Sequence, residues 1–176
     1  MATTAQIQAM IRQTALAYGV DPNLALAVAQ RESGLDPNAR GAAGEQGVFQ
    51  LGAAAAQDVG ANRNTLEGNI QGGVAYLKRM LDQFGDTATA VAAYNAGAGN
   101  VSQGVIPAST QDYVADVLAA AGYTTAYAGE VPTFTTTVWG TEEPNLQPAI
   151  QAASLLPWFL AGFGLLALVA ITRSRD

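Results

Sequence analysis

Apolar positions over the first 121 residues recur every three or four, the spacing that lines one face of an α-helix, and turn-forming residues punctuate them. Ile7, Met10, Ile11, Thr14 and Tyr18 mark one face of a first helix, capped by Thr3 or Thr4 and ended by Gly19. A second helix opens with Asp21 as N-cap and Pro22 at its first position. It runs almost without polar interruption through Leu24, Ala25, Leu26, Ala27, Val28 and Ala29, reaches Arg31 and Glu32, and stops at Gly34. So apolar a helix is expected to be buried on most sides.

Leu35-Asp36-Pro37-Asn38 reads as a turn, and Gly41, Gly44 and Gly47 make the next stretch an irregular loop ending in Gly47-Val48-Phe49-Gln50. A short Ala-rich helix is expected from about Ala53 to Val59, then a loop over Asn62 to Asn64. Thr65 caps a longer helix with Ile70, Val74, Leu77, Leu81 and Phe84 as its stripe, Lys78, Arg79 and Asp82 off it, and Gly85 as its stop. Asp86 or Thr87 starts another through Tyr94 and Asn95 that stops at Gly97-Ala98-Gly99. Pro107 breaks the chain, and Thr110 to Ala121 forms the last helix with Tyr113, Val114, Val117 and Leu118 facing inward.

Beyond residue 121 the pattern changes. Gly122 to Pro148 is Thr-, Gly- and Pro-containing linker, with one short strand expected around 134–139. Leu155 to Ile171 is 17 residues without a charge, and 22 when extended back to Ile150; about 20 apolar residues span a bilayer core. Trp158 lies near one end and Arg173 and Arg175 flank the other, which favours a membrane anchor over a buried core helix. The organisation is thus a helical domain (1–121), a linker (122–149), a transmembrane helix (150–172) and a basic tail (173–176). Lys and Arg are absent between Arg79 and Arg173, so the tail is expected on the side that is not translocated. The first segment lacks a charged-then-apolar leader layout, and no cleavable signal is expected there.

Composition narrows the chemistry. The chain has 176 residues, 49% of them hydrophobic, enough for one cored domain plus appendages. Charged residues are only 12% and the net charge is −6, so the cations that neutralise phosphates are lacking and nucleic acid is set aside as a partner. Cysteine and histidine are both absent. That excludes disulfides, thiol and Ser-His-Asp nucleophiles and the usual Zn sites, and leaves carboxylates, Tyr or Lys for acid-base work. Glu32 stands out: a carboxylate at a helix C-terminus faces the negative end of the dipole, and burial disfavours its ionised form too. Both raise its pKa, which suits a general acid. The plain alternative is a surface acid near a helix end.

Three separated motifs then carry a resemblance: Arg31-Glu32-Ser33-Gly34, Gly47-Val48-Phe49-Gln50 and Ala93-Tyr94-Asn95-Ala96-Gly97, with Asn69-Ile70, Gly73 and Tyr76-Leu77 on the long helix between them. In this order, residues of about 20 to 118 resemble the soluble-lytic-transglycosylase domain, related to goose-type lysozyme. The resemblance implies a mainly α, lysozyme-like domain and cleavage of the β-1,4 bond between N-acetylmuramic acid and N-acetylglucosamine in peptidoglycan glycan strands, without cofactor or metal. It makes Glu32 the single catalytic acid/base. It places Ser33 near the muramoyl group, Phe49 and Gln50 in the cleft loop, Tyr94 with Asn95 close to the acid, and Tyr113 as a late cleft aromatic. Phe49 stands where the family commonly has Met, and Ser109 where an acid is usual.

In the implied reaction Glu32 protonates the leaving oxygen, the N-acetyl group assists, and ionised Glu32 takes the proton of the C6 hydroxyl as it closes on C1 in a 1,6-anhydro ring. Asp36 or Glu45 could hold the water that hydrolysis would need, or be plain solvated loop acids. Two rival functions are a hydrolytic muramidase of the same fold and a non-enzymatic glycan-binding or structural membrane protein. The expected setting is a virion with an internal membrane, opening the wall during genome delivery; a bacterial envelope complex with the domain in the periplasm is the alternative. With no His or Cys and no Lewis acid in the mechanism, a chelator is expected to leave cleavage of soluble glycan unchanged. Loss of cleavage in EDTA with rescue by a divalent ion would contradict the single-carboxylate chemistry.

Overall fold

The computed structural model of the chain describes residues 2–123. The expected 150–172 span, the basic tail and all of the linker but Gly122 and Tyr123 lie outside the described residues. Among the described residues there are seven helices and no strand: α1 (Thr4–Tyr18), α2 (Pro22–Ser33), α3 (Ala53–Asp58), α4 (Leu66–Phe84), α5 (Thr87–Ala96), α6 (Ala98–Ser102) and α7 (Ala108–Ala120). None of these helices is long and apolar enough to cross a membrane.

Local chemistry sets the boundaries. Thr3 is the cap of α1 and forms a reciprocal capping box with Gln6. Asp21, Thr65 and Asp86 cap α2, α4 and α5 by accepting from the backbone N–H of Asn23, Gly68 and Thr89. Gly19, Gly34 and Gly85 end their helices in the left-handed conformation. Two boundaries differ from the periodicity. Gly97 breaks α5 as expected, but the chain resumes at once as α6, which buries Val101. The last helix starts directly after Pro107 instead of at Thr110, because the proline presets its entry. On α1 the buried line is Ile7, Ile11 and Ala15, while Tyr18 is exposed; the apolar face is narrower than its sequence spacing suggests.

Pairwise packing closes a ring. α1 lies on α2 and α4, α2 on α7, α7 on α5, and α5 back on α4, with α3 against α4 and α6 against α5. α2 buries Leu24, Ala25, Ala27, Val28 and Ala29, and α5 buries Ala88 and Ala90 to Ala93. Small residues on α5 let its neighbours approach closely. The α4 stripe buries Ile70, Val74, Leu77, Met80 and Phe84, with Leu81 half-covered.

One core contact holds the loop between α2 and α3 onto the bundle. Phe49 is fully buried against the bare backbone of Gly73 on α4, where a Cβ would fall 2.1 Å from the ring's Cγ. No rotamer change relieves that clash, since the ring has no space to retreat into. Gly73→Ala is therefore expected to destabilise the domain by about 1–3 kcal/mol or more. Gly99→Ala, helical, with nothing near the added carbon, should be neutral or stabilising by about 0.4–1 kcal/mol. Denaturant unfolding of the two variants checks the contrast; equal stabilities would show that the Phe49 ring is not pinned by α4.

Candidate active site

Glu32 lies in the last turn of α2, so the burial of the helix's apolar body carries this carboxyl into the edge of the core. From the opposite side α7 brings Tyr113, only 4% exposed, whose hydroxyl donates to Glu32 Oε1 at 2.6 Å. Oε2 has no hydrogen-bond partner among the described residues and remains available to a ligand. Arg31 sits 5.5 Å from the centre of the Tyr113 ring and pairs with Asp116 at 3.1 Å, which steadies the phenol from outside.

The electrostatics favour the protonated acid. Desolvation by burial raises the Glu32 pKa above its ordinary value; the Tyr113 hydrogen bond and the Arg31 charge oppose it, and the Glu45 carboxylate adds to the rise. Burial, and then the Glu32 charge, push both Tyr113 and Tyr94 well above the usual phenol range, so both stay neutral donors. Burial is the largest cause of the Glu32 rise.

The loop that faces Glu32 is clamped at each end of Val48-Phe49. Ser33 Oγ donates to Val48 O at 2.8 Å, and Tyr94 donates to Phe49 O at 2.9 Å. The buried Asn69 side chain accepts from Phe49 N at 3.0 Å and donates to Gln46 O at 2.8 Å. These bonds hold Gln50 at φ +42, a rare conformation for a residue with a side chain, with its amide nitrogen on Gly47 O at 2.8 Å.

Together the pieces wall an open cleft of about 550 Å³ in which Glu32, Glu45, Gln50, Tyr76, Tyr94 and Asn95 supply the polar lining, with Gly52 to Ala55 at the start of α3 as a low wall. Of the residues expected to touch substrate, Gln50, Tyr94 and Asn95 thus lie with Glu32 in the cleft. Three are not placed that way. The Phe49 ring is 0% exposed inside the core, so the residue contributes through its backbone, and the Ser33 hydroxyl is spent on Val48 O and Ala29 O. Tyr113 acts from beneath, through Glu32. Asp36 is exposed and engaged in its own turn with Asn38 N, whereas Glu45 is half-buried in the cleft wall instead of solvated.

Three further residues serve the site without having been assigned a site role from the sequence. Tyr76 lines the cleft and meets Tyr94 edge-on at 5.4 Å; Asn69 holds the loop; Thr110 donates to Asn95 Oδ1 at 2.8 Å. Tyr76 lies off the α4 stripe and Asn69 is a polar residue beside the buried Ile70; the resemblance named both, as part of the long helix only.

Residues 9–114 match the family described as Transglycosylase SLT domain, more than half of the chain. The chain belongs to this family. A transglycosylase of Enterobacteria phage PRD1 is 36% identical over 102 residues, covering 57% of this chain and 37% of that protein. A membrane-bound lytic murein transglycosylase F of Desulfosudis oleivorans is 35% identical over 100 residues, 52% of this chain and 22% of that one. This chain therefore spans well under half the length of those relatives. Among solved structures, an inactive Glu-to-Gln mutant of the lytic transglycosylase Slt from Pseudomonas aeruginosa superposes with a TM-score of 0.60 at 26% identity, over 65% of this chain and 23% of that one. The 70 kDa soluble lytic transglycosylase of Escherichia coli gives 0.58 at 28% identity, over 75% and 26%. The SLT domain here has the mainly α, lysozyme-like fold of these neighbours.

The buried acid has a consequence for stability. Its folded pKa lies above its unfolded one, so its favourable contribution is complete below the unfolded value and is lost as pH rises through the folded value. Glu32→Gln keeps the acceptor for Tyr113 and removes that loss. The variant is expected to match the parent near about pH 3.5, below the model-peptide Glu value, and to exceed it in melting temperature near neutrality. A melting-temperature difference that does not change with pH would mean that the carboxyl is not desolvated.

Proposed function

We propose that this chain is a lytic transglycosylase that cleaves the MurNAc-GlcNAc bond of peptidoglycan with Glu32 as its single acid/base and leaves 1,6-anhydro-muramoyl ends. The observation that carries the reading is the Glu32 carboxyl itself: desolvated, biased to its protonated form, held at Oε1 by Tyr113 and open at Oε2 to a 550 Å³ cleft. The family assignment and the transglycosylase names of the relatives support it. So does the neighbour whose inactivation is a Glu-to-Gln exchange, and a neighbouring structure holding bulgecin A.

In the reading, protonated Glu32 gives its proton to the glycosidic oxygen as the C1–O bond breaks. The sugar's N-acetyl group supports C1, and no protein nucleophile is needed. Glu32, now ionised and stabilised by the Tyr113 hydroxyl, takes the proton of the C6 hydroxyl as its oxygen closes on C1. Tyr113 thereby lowers the cost of the charged intermediate state, while burial keeps the resting state protonated. Gln50, Tyr94 and Asn95 line the path of the glycan, and Ser33 and Phe49 act by fixing the loop.

The wider setting follows the same proposal. The 155–171 stretch anchors the enzyme in a membrane, and about 27 residues of linker reach roughly 30 Å from it. A phage relative supports a virion in which the enzyme opens the wall locally during genome delivery, and membrane-bound relatives support the anchored arrangement. Tyr123, the last described residue, donates to Asp21 at the start of α2, while Glu32 lies at that helix's far end.

The test is mass spectrometry of muropeptides released from purified sacculi by the full chain in mild detergent. Disaccharide peptides lighter by one water, the 1,6-anhydro form, are expected as the main product, at a rate that falls as pH rises through the folded Glu32 pKa. A folded protein that releases nothing, or releases only reducing ends, would overturn the proposal.

A further inference from the structure

Glu45 is built into the cleft by its own turn. Gly41 N–H donates to Glu45 O at 2.9 Å and Gly44 N–H to Gly41 O at 3.2 Å, closing the loop, and Ala43 N–H donates to Glu45 Oε2 at 3.0 Å, fixing the carboxylate. The side chain fills the space that a side chain on residue 41 would need: a Cβ there would lie 2.2 Å from Glu45 Oε2 and 3.0 Å from Gln50 Oε1. Those two oxygens therefore lie on the same side of Gly41, and both residues line the cleft. Arg63 spends its guanidinium on the carbonyls of Gly44 and Leu51, and Arg40, bridged to Gln46 in the same loop, forms no ion pair with Glu45. Among the described residues, ion pairs join Arg31 to Asp116, Lys78 to Asp82 and Arg79 to Asp58, and none reaches Glu45 or Glu32. No Lys or Arg is among the residues that line the cleft.

The two carboxyl groups share a cleft that no cation lines; the Arg31 charge outside it lowers the Glu32 pKa, and repulsion from Glu45 raises it. Burial biases Glu32 to its protonated form, and the Glu45 carboxyl stands in the same cleft as a second group able to take a proton. The glycan provides the positive charge that the pair lacks, because C1 becomes cationic as its bond to oxygen breaks.

We propose that Glu45 is a second catalytic group: together with the Gln50 amide oxygen it holds a water at C1 and takes its proton, so that a share of cleavage events ends in hydrolysis instead of ring closure. This rests on the glycan-cleaving reading above. The balance is simple. Glu32 gives its proton to the leaving oxygen and the C1–O bond breaks; the water oxygen bonds to C1, and one water proton passes to Glu45. Glu45 then releases that proton to solvent, and ionised Glu32 regains one from solvent, leaving a free reducing end.

The experiment is digestion of sacculi in ¹⁸O-water by the full chain in mild detergent, with muropeptides read by mass spectrometry. Ring closure takes no oxygen from solvent, whereas hydrolysis puts the label on C1. The native chain is expected to give labelled reducing ends as a minor product beside anhydro ends. Glu45→Gln keeps an acceptor for Ala43 N–H, so the turn survives. It should lower the labelled share roughly tenfold while anhydro ends persist, short of the about 10² to 10⁴ of a full general base because the amide still contacts the water. Glu45→Asp, a shorter carboxylate, should restore part of the label. No label with the native chain, or an equal labelled share with Glu45→Gln, overturns the role of Glu45 and leaves Glu32 untouched. No cleavage of either kind by the native chain would instead bring down the glycan-cleaving reading on which it rests.

Discussion

The hydrogen bond from Tyr113 to Glu32 joins α7 to α2 across 81 positions of chain, and the cleft depends on it. A carboxyl drawn out of water by an apolar helix is costly to ionise, yet an acid/base must pass through its ionised form once in each cycle. A neutral phenol within 2.6 Å meets both demands, because it donates to the carboxylate and adds no charge to the resting site. Burial and the Glu32 charge both hold Tyr113 in that neutral form.

Around this pair the fold works as a clamp. The helix ring fixes α2, α5 and α7 relative to one another, and each sends one group to the site or its loop: Ser33 next to Glu32 from α2, Tyr94 from α5 and Tyr113 from α7. α4 completes the hold with Asn69 and with the missing side chain of Gly73, which admits the Phe49 ring. The loop thus gains a buried anchor and several hydrogen bonds to its backbone, and these offset the strain of Gln50 at positive φ. Rigid support of a strained residue at a cleft wall keeps polar atoms in place before a ligand arrives.

Much of this was legible in the sequence, for physical reasons that also mark where the reading stopped. Six of the seven helices announce themselves by capping residues, terminal glycines and apolar spacing, and Glu32 by being an acid at the end of an apolar helix. The seventh, α6, is a turn and a half long with Gly at its start and in its middle, a composition that reads as a break. The direction of side chains inside the loop was not legible, because irregular backbone has no period to project. Phe49 and Gln50 are adjacent, yet one enters the core and the other the cleft, and the choice is made by Asn69 and Gly73, which lie 20 and 24 residues beyond Phe49. Glu45 was ambiguous for the same reason: only the turn through Gly41 and Ala43 shows that it faces inward.

The central claim is that one desolvated carboxyl performs both proton transfers. The most direct measurement compares the native chain with Glu32→Gln on purified sacculi, with melting curves to establish that both are folded. The account predicts a folded variant that binds glycan but releases muropeptides at least about 10²-fold more slowly. Release at the native rate by folded Glu32→Gln would contradict it.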